Sequence, residues 1–251
     1  MENLHKSVMI NEIISFLPSR KSINVMDATF GGGGYSKAIL EKFNVNYLLA
    51  IDRDPVSKIF AKEIESKFSN FTLINDNFSK IEEIVNETNL KDKKFDIILF
   101  DLGTSSNQID NAERGFSFSK SGPLDMRMGI SDKNAYDIIN KYEEKNLANI
   151  IYKYGEERFS RVIAKGIVKN RKIKFINDTI ELSNIIKKSL PIKNQSKNKI
   201  HPATKTFQAI RIYVNDELIE LENSLKKTLK ILNKDGLILV VSFQSLEDRI
   251  V

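Results

Sequence analysis

Four short apolar runs dominate the first hundred residues, and each ends at a carboxylate. Ile23 to Met26 leads into Asp27 and then Gly31 to Gly34. Asn46 to Ile51 ends at Asp52, Phe71 to Ile74 is closed by Asp76-Asn77-Phe78, and Phe95 to Phe100 ends at Asp101. Helical patterns fill the intervals: Tyr35 to Phe43, Pro55 to Phe68 and Ser79 to Asn89, with Pro55 suited to a first helical turn. Strands that are apolar throughout and alternate with helices belong to a parallel sheet covered on both faces. The chain is therefore expected to be α/β.

The pattern changes after Asp101. Gly103 to Ser131 is rich in Gly, Ser and Asp and reads as a long loop, a length usually reserved for function. Ala135 to Leu190 is mostly helical, with Asp178 a suitable N-cap for the segment ending at Leu190. Pro191 to Ile200 reads as a polar linker. His201-Pro202 opens what is expected to be one long amphipathic helix to about Leu232, followed by Gly236 and a fifth apolar strand, Leu237 to Phe243. The expected organisation is a discontinuous sheet domain, 1–107 with 201–251, interrupted by a helical insertion, 108–200.

Ligands of open parallel sheets bind beyond the carboxyl ends of the strands, where all the suggestive residues fall. Glycines after strand one let the backbone approach a ligand closely. Asp52 follows Gly31 by 21 residues and can accept hydrogen bonds from both ribose hydroxyls. Phe78 is placed to stack on a purine, although an aromatic at a helix start is as often core. Asp101 falls near where a reactive group would lie. The dinucleotide fingerprint needs a third glycine where Ser36 stands, which weakens a nicotinamide or flavin reading. An acidic residue before the turn, a ribose carboxylate and a stacking site suit a single adenosine carrying a sulfonium arm.

Composition removes other chemistries. The 251 residues contain no Cys and only His5 and His201, so disulfides and Cys/His zinc sites are not expected. Met1 to Lys6 begins no signal peptide, and no apolar stretch reaches the roughly 18 residues of a membrane span; a cytoplasmic protein is expected. The net charge is +6, but Lys165 to Lys199 carries ten Lys/Arg against two Asp/Glu, a local +8 that leaves −2 for the rest. Such asymmetry suits a polyanion partner, although a Lys-rich face is often only a solvated one.

The sequence resembles one family along nearly its whole length. The resemblance is carried by Asp27 to Ser36, Ile51 to Pro55, Phe100 to Ser106, Arg114 to Phe118, Gly122 to Met128, Tyr154 to Glu157, His201 to Thr204, Phe207 to Ala209, Arg211-Ile212 and Ser242 to Arg249. It looks like the MraW (RsmH) family of small-subunit ribosomal RNA cytosine-N4 methyltransferases. The resemblance implies a class I, Rossmann-like methyltransferase domain with an inserted helical domain for RNA recognition. It implies S-adenosylmethionine as cofactor and the exocyclic amine of a decoding-region cytosine as acceptor. Matched residue by residue, the cofactor site falls on Gly33, Gly34, Tyr35, Asp52, Phe78, Asp101 and Gln108. Tyr35 and Gln244 stand where the family usually has His, so a backbone role survives at Tyr35 but a side-chain role would not. Family members continue past the position of Val251, and the fifth strand is then expected at an edge of the sheet.

The implied chemistry needs a carboxylate to take the amine proton, and Asp101 and then Asp125 are the candidates. Arg114 and Arg127 are expected on phosphates, with the Lys165 to Lys199 face, and Phe116 or Phe118 on the extruded base. The expected partner is small-subunit ribosomal RNA or the assembled subunit, without a metal or a membrane; the sequence leaves the oligomeric state, including a homodimer, open. The alternatives are a catalytically impaired RNA-binding member of the same fold, a nicotinamide oxidoreductase, and a methyltransferase acting on protein or a small molecule.

Overall fold

A computed structural model of the chain describes residues 8–18, 22–191 and 200–251. Most of the expected linker, with Lys193, Lys197 and Lys199 of the basic run, lies outside the described residues. The chain divides into two compact units, Met1–Ser105 with Leu218–Val251, and 106–217.

The first unit is built on five parallel strands: β1 (Ile23–Asp27), β2 (Val45–Ile51), β3 (Phe71–Ile74), β4 (Phe95–Asp101) and β5 (Leu232–Val241), in the order β3-β2-β1-β4-β5. Successive side chains of a strand alternate between faces. Val25, Leu48, Ala50, Ile97 and Leu99 accordingly enter one core, and Met26, Leu49, Ile51, Ile98 and Phe100 the other. Burying each such Leu, Ile or Phe contributes about 1.5–3 kcal/mol, which is why the strands are apolar along their whole length. Strand order reverses between β1 and β4, and a crevice at such a switch point is the usual ligand site. Helices α2 (Gly34–Lys42), α3 (Ser57–Glu65) and α4 (Ile81–Glu87) connect the strands, the last entered through a 3₁₀ turn, Phe78–Lys80. An additional helix, α1 (Ile10–Ser15), precedes the sheet and was not foreseen.

The fifth strand starts earlier than its apolar run. Leu232 pairs with Phe95 and Leu237 with Ile97, so the residues between them loop out as a bulge, with Asp235 at φ 64°. Gly236 sits in that bulge, and Asn233 Nδ2 donates to Asp96 Oδ1 at 2.7 Å. Among the described residues the strand pairs with β4 alone and forms one edge of the sheet.

The second unit is helical: α5 (Ser106–Asp110), α6 (Ala135–Lys141), α7 (Glu144–Gly155), α8 (Ser160–Arg171), α9 (Thr179–Ser189) and α10 (Thr204–Asn215). Asp178 caps α9 as expected, its Oδ1 accepting from the N–H groups of Ile180 at 2.7 Å and Glu181 at 3.2 Å. The long helix expected over 201–232 is instead two helices, α10 and α11 (Glu217–Ile231), broken at Asp216 with φ 51°. Aspartate tolerates this left-handed conformation better than most residues. Arg211 spans the break with a bidentate bond to Glu217, Nε to Oε1 and Nη2 to Oε2, both 2.9 Å. Phe207, Ile210 and Val214 bury α10 in the core of the second unit, whereas the reading above grouped it with the sheet.

Candidate functional site

The turn after β1 is fixed on three sides. Phe30 N–H donates to the Ile51 carbonyl at 3.0 Å, and Gly31 N–H donates to Asp52 Oδ2 at 2.6 Å. The other oxygen of Asp52 accepts from Asp54 N–H at 2.7 Å. Gly33 takes φ +77° and caps α2; a Cβ there would stand 2.7 Å from Phe30 Cζ and 2.9 Å from Ile64 Cδ1. Glycine is therefore required by conformation and by space. Gly34 begins α2, whose backbone N–H groups point toward the turn. The Tyr35 hydroxyl donates to the Val8 carbonyl and the ring is buried, so this side chain supports the turn.

Asp27, fully buried at the end of β1, accepts from Ser36 Oγ at 2.6 Å and from Thr29 N–H at 3.3 Å. Burial nevertheless pushes its carboxyl up to about 6. Burial likewise raises Asp52 to about 6. Asp101 ends the adjoining strand β4, and its N–H donates to Thr29 Oγ1 at 2.6 Å. Its Oδ1 is buried with no hydrogen-bond partner among the described residues. Burial, followed by the charges of Asp27 and Glu247, lifts Asp101 to about 7. Protein donors already serve both oxygens of Asp27 and of Asp52, whereas the buried Oδ1 of Asp101 is left for a cation or a hydrogen-bond donor from outside the described residues.

At the end of β3, Phe78 is half-buried and packs edge-on against Phe100, centroids 5.7 Å apart. Asp76 is paired with Lys80 at 2.9 Å.

The remaining sequence candidates lie in the second unit. Gln108 is buried on α5. Asp125 accepts from Arg127 Nε at 2.7 Å and Nη2 at 2.9 Å. Burial acts to raise Asp125, but its bonds and charge contact with Arg127 outweigh that and lower it, making it a weak proton acceptor. The Arg114 guanidinium donates to the Arg127 carbonyl at 2.8 Å and lies 5.7 Å from the Phe116 ring centroid. Phe116 is part of the helical core. Phe118 is stacked on His201, centroids 4.5 Å apart and planes within 8°, and meets Phe207 edge-on. Buried Asn215 was not foreseen; it clamps the long loop, accepting from Met128 N–H at 2.9 Å and donating to the Met126 carbonyl at 2.8 Å. Thr29, which accepts from the Asp101 N–H, and Glu247, whose charge raises the Asp101 carboxyl, were also missed. Each acts across strands distant in sequence, and only the Ser242 to Arg249 motif hinted at Glu247. No cluster of three metal-ligating side chains occurs among the described residues.

A parallel sheet whose switch point is flanked by a glycine turn and by carboxyls at three strand ends defines a Rossmann-like α/β protein. The family profile described as the MraW methylase family matches residues 2–251, and the chain belongs to that family. It is 52% identical over 252 residues to the ribosomal RNA small subunit methyltransferase H of Rickettsia canadensis (strain McKiel), covering all of this chain and 79% of the relative. It is also 52% identical over 248 residues to the protein of the same name from Rickettsia africae (strain ESF-5), covering 98% of this chain and 78% of that one.

Proposed function

We propose that the chain transfers a methyl group from S-adenosylmethionine to the exocyclic N4 amine of a cytosine in the decoding region of small-subunit ribosomal RNA. The observation that carries this reading is Asp101: a buried oxygen without a partner, beside Asp27, at the β1/β4 switch point. Such a site suits an ammonium or sulfonium group or an N–H donor and penalises an anionic occupant. The cofactor fits the residues present. Asp52, with a free lone pair on each oxygen, would hold the ribose; the Gly33-Gly34-Tyr35 backbone would lie along the methionine part, and Phe78 would border the base. When bound, the cofactor supplies an electrophilic methyl group.

The protein's own contribution is alignment and proton handling. The cytosine amine is a poor nucleophile because its lone pair is delocalised, and fixing it in line can supply roughly 7–11 kcal/mol. Asp101, held near neutrality, suits acceptance of the amine proton at Oδ1; a base works best with a pKa close to the working pH. Asp125, bound to Arg127, serves instead to shape the loop that presents Arg114 and Arg127. That loop and the lysines of α8 and α9 are read as the RNA-facing surface of the 108–200 region, giving salt-dependent affinity without sequence readout. The substrate is free ribosomal RNA or the assembled subunit in the cytoplasm. No helix among the described residues is long and apolar enough to cross a membrane.

The test is transfer of labelled methyl from S-adenosylmethionine to small ribosomal subunits and to extracted ribosomal RNA, with mass mapping of the modified nucleotide. N4-methylcytosine in the decoding region is expected. No label in RNA, or label elsewhere than on a cytosine amine, overturns the proposal.

A further inference from the structure

The aromatic positions named by sequence motif are already occupied: Phe116 is core, Phe118 is stacked on His201, and Phe78 packs on Phe100. A different ring lies two residues beyond Asp101, at the next paired position past the strand ends. In the sheet, Asp101 pairs with Val241, and Leu102 N–H donates to the Val241 carbonyl at 2.9 Å. Two residues further along each segment, Gly103 and Phe243 come side by side; a Cβ on Gly103 would lie 3.8 Å from Phe243 Cδ2. Gly103, at φ +97°, has no side chain to cover the ring, and Phe243 is 57% exposed.

A lone exposed apolar residue is ordinary on a protein surface. The backbone that carries this one is tied down on several sides. Phe243 N–H donates to Glu247 Oε2 at 2.9 Å, and Gln244 Nε2 donates to Glu247 Oε1 at 2.8 Å. The Glu247 N–H closes back on the Gln244 carbonyl at 3.1 Å, and the Ser242 hydroxyl bonds Asp248. Glu247 is 3% exposed, so a buried carboxylate spends both oxygens fixing the turn that displays the ring. The other exposed large aromatics among the described residues, Phe16, Tyr152 and Phe175, lie on or beside helices.

We propose that Phe243 is the stacking platform for the base whose amine is methylated. The proposal rests on the transferase reading above. A base must leave its own stack to meet the methyl donor, and a fixed aromatic face replaces the stacking it loses. The position alongside Gly103 sets that ring two residues along from the carboxylate assigned to the departing proton.

The experiment compares wild type with Phe243→Ala, Phe243→Leu and Phe243→Tyr in methyl transfer to small ribosomal subunits, with S-adenosylmethionine affinity measured by calorimetry on the same preparations. Alanine and leucine are expected to lower kcat/KM about ten- to hundredfold, while tyrosine stays within about threefold of wild type and all four bind the cofactor equally. Leucine performing as well as phenylalanine would reduce the ring to apolar filler and overturn the proposal. So would an alanine variant with wild-type turnover, or a loss of cofactor affinity parallel to the loss of rate. A wild-type protein that transfers nothing to RNA would instead sink the transferase reading on which the proposal stands.

Discussion

Asp101→Asn is expected to make the ligand-free protein more stable above neutral pH while depressing its methyl transfer. The carboxyl is raised from 3.8 to about 7. A carboxyl raised on folding stabilises fully below its unfolded value and loses that contribution as pH climbs through its folded value. The loss therefore runs from about pH 4 to about pH 7. At about 1.4 kcal/mol per pH unit the ceiling is about 4 kcal/mol; partial contact with water brings the working figure to about 1–2 kcal/mol. Asparagine keeps the side chain's shape and removes the charge. Urea unfolding of both proteins at pH 4.5 and pH 8 checks the arithmetic. The variant should gain about 1–2 kcal/mol over wild type at pH 8 and little at pH 4.5. Equal differences at the two pH values, or a variant less stable at pH 8, would refute the buried-charge argument. In the same variant kcat should fall far more than cofactor affinity, and equal losses would count against Asp101 as proton acceptor.

Asp52→Ala is expected to weaken S-adenosylmethionine binding by about 2–4 kcal/mol through lost charge-assisted bonds, measured by calorimetry; unchanged affinity would reject the ribose assignment. Gly33→Ala forces φ +77° and a 2.7 Å approach to Phe30 on a residue with a Cβ, and should lower stability by about 1–3 kcal/mol in thermal unfolding. Asn215→Ala strands the Met126 carbonyl and Met128 N–H inside the helical unit and should cost about 2–3 kcal/mol in urea, with limited proteolysis cutting first in the 114–128 loop. Asp125→Asn should leave the acidic limb of the kcat pH profile where it is, because its pKa is depressed; a shifted limb would make Asp125 the base after all.

The strand ends were legible because apolar runs and their closing carboxylates lie next to each other in sequence. Asp27, Asp52 and Asp101 all appear there, and the glycine turn between them could be read directly. What could not be read depends on partners distant along the chain. Thr29 supports Asp101 across 72 residues, and Asn215 holds Met128 across 87. The helix break at Asp216 escaped notice because a left-handed position is usually signalled by glycine. Phe116 and Phe118 looked available because an aromatic in a loop gives no local sign of what it will pack against. The Leu237 to Phe243 run pointed to the fifth strand, but the bulge before it arises from pairing with β4, which the run itself does not encode.

The turn between β1 and α2 has nowhere to bend. Its amides are tied to Ile51 and Asp52 on one side, and its threonine hydroxyl receives the backbone of Asp101 on the other. If the cofactor binds there as proposed, it meets a rim whose backbone is already tied down, so the ordering penalty falls on the visitor and hardly at all on the host. Substitutions that loosen the rim should then weaken cofactor binding without touching any group that contacts the methyl acceptor.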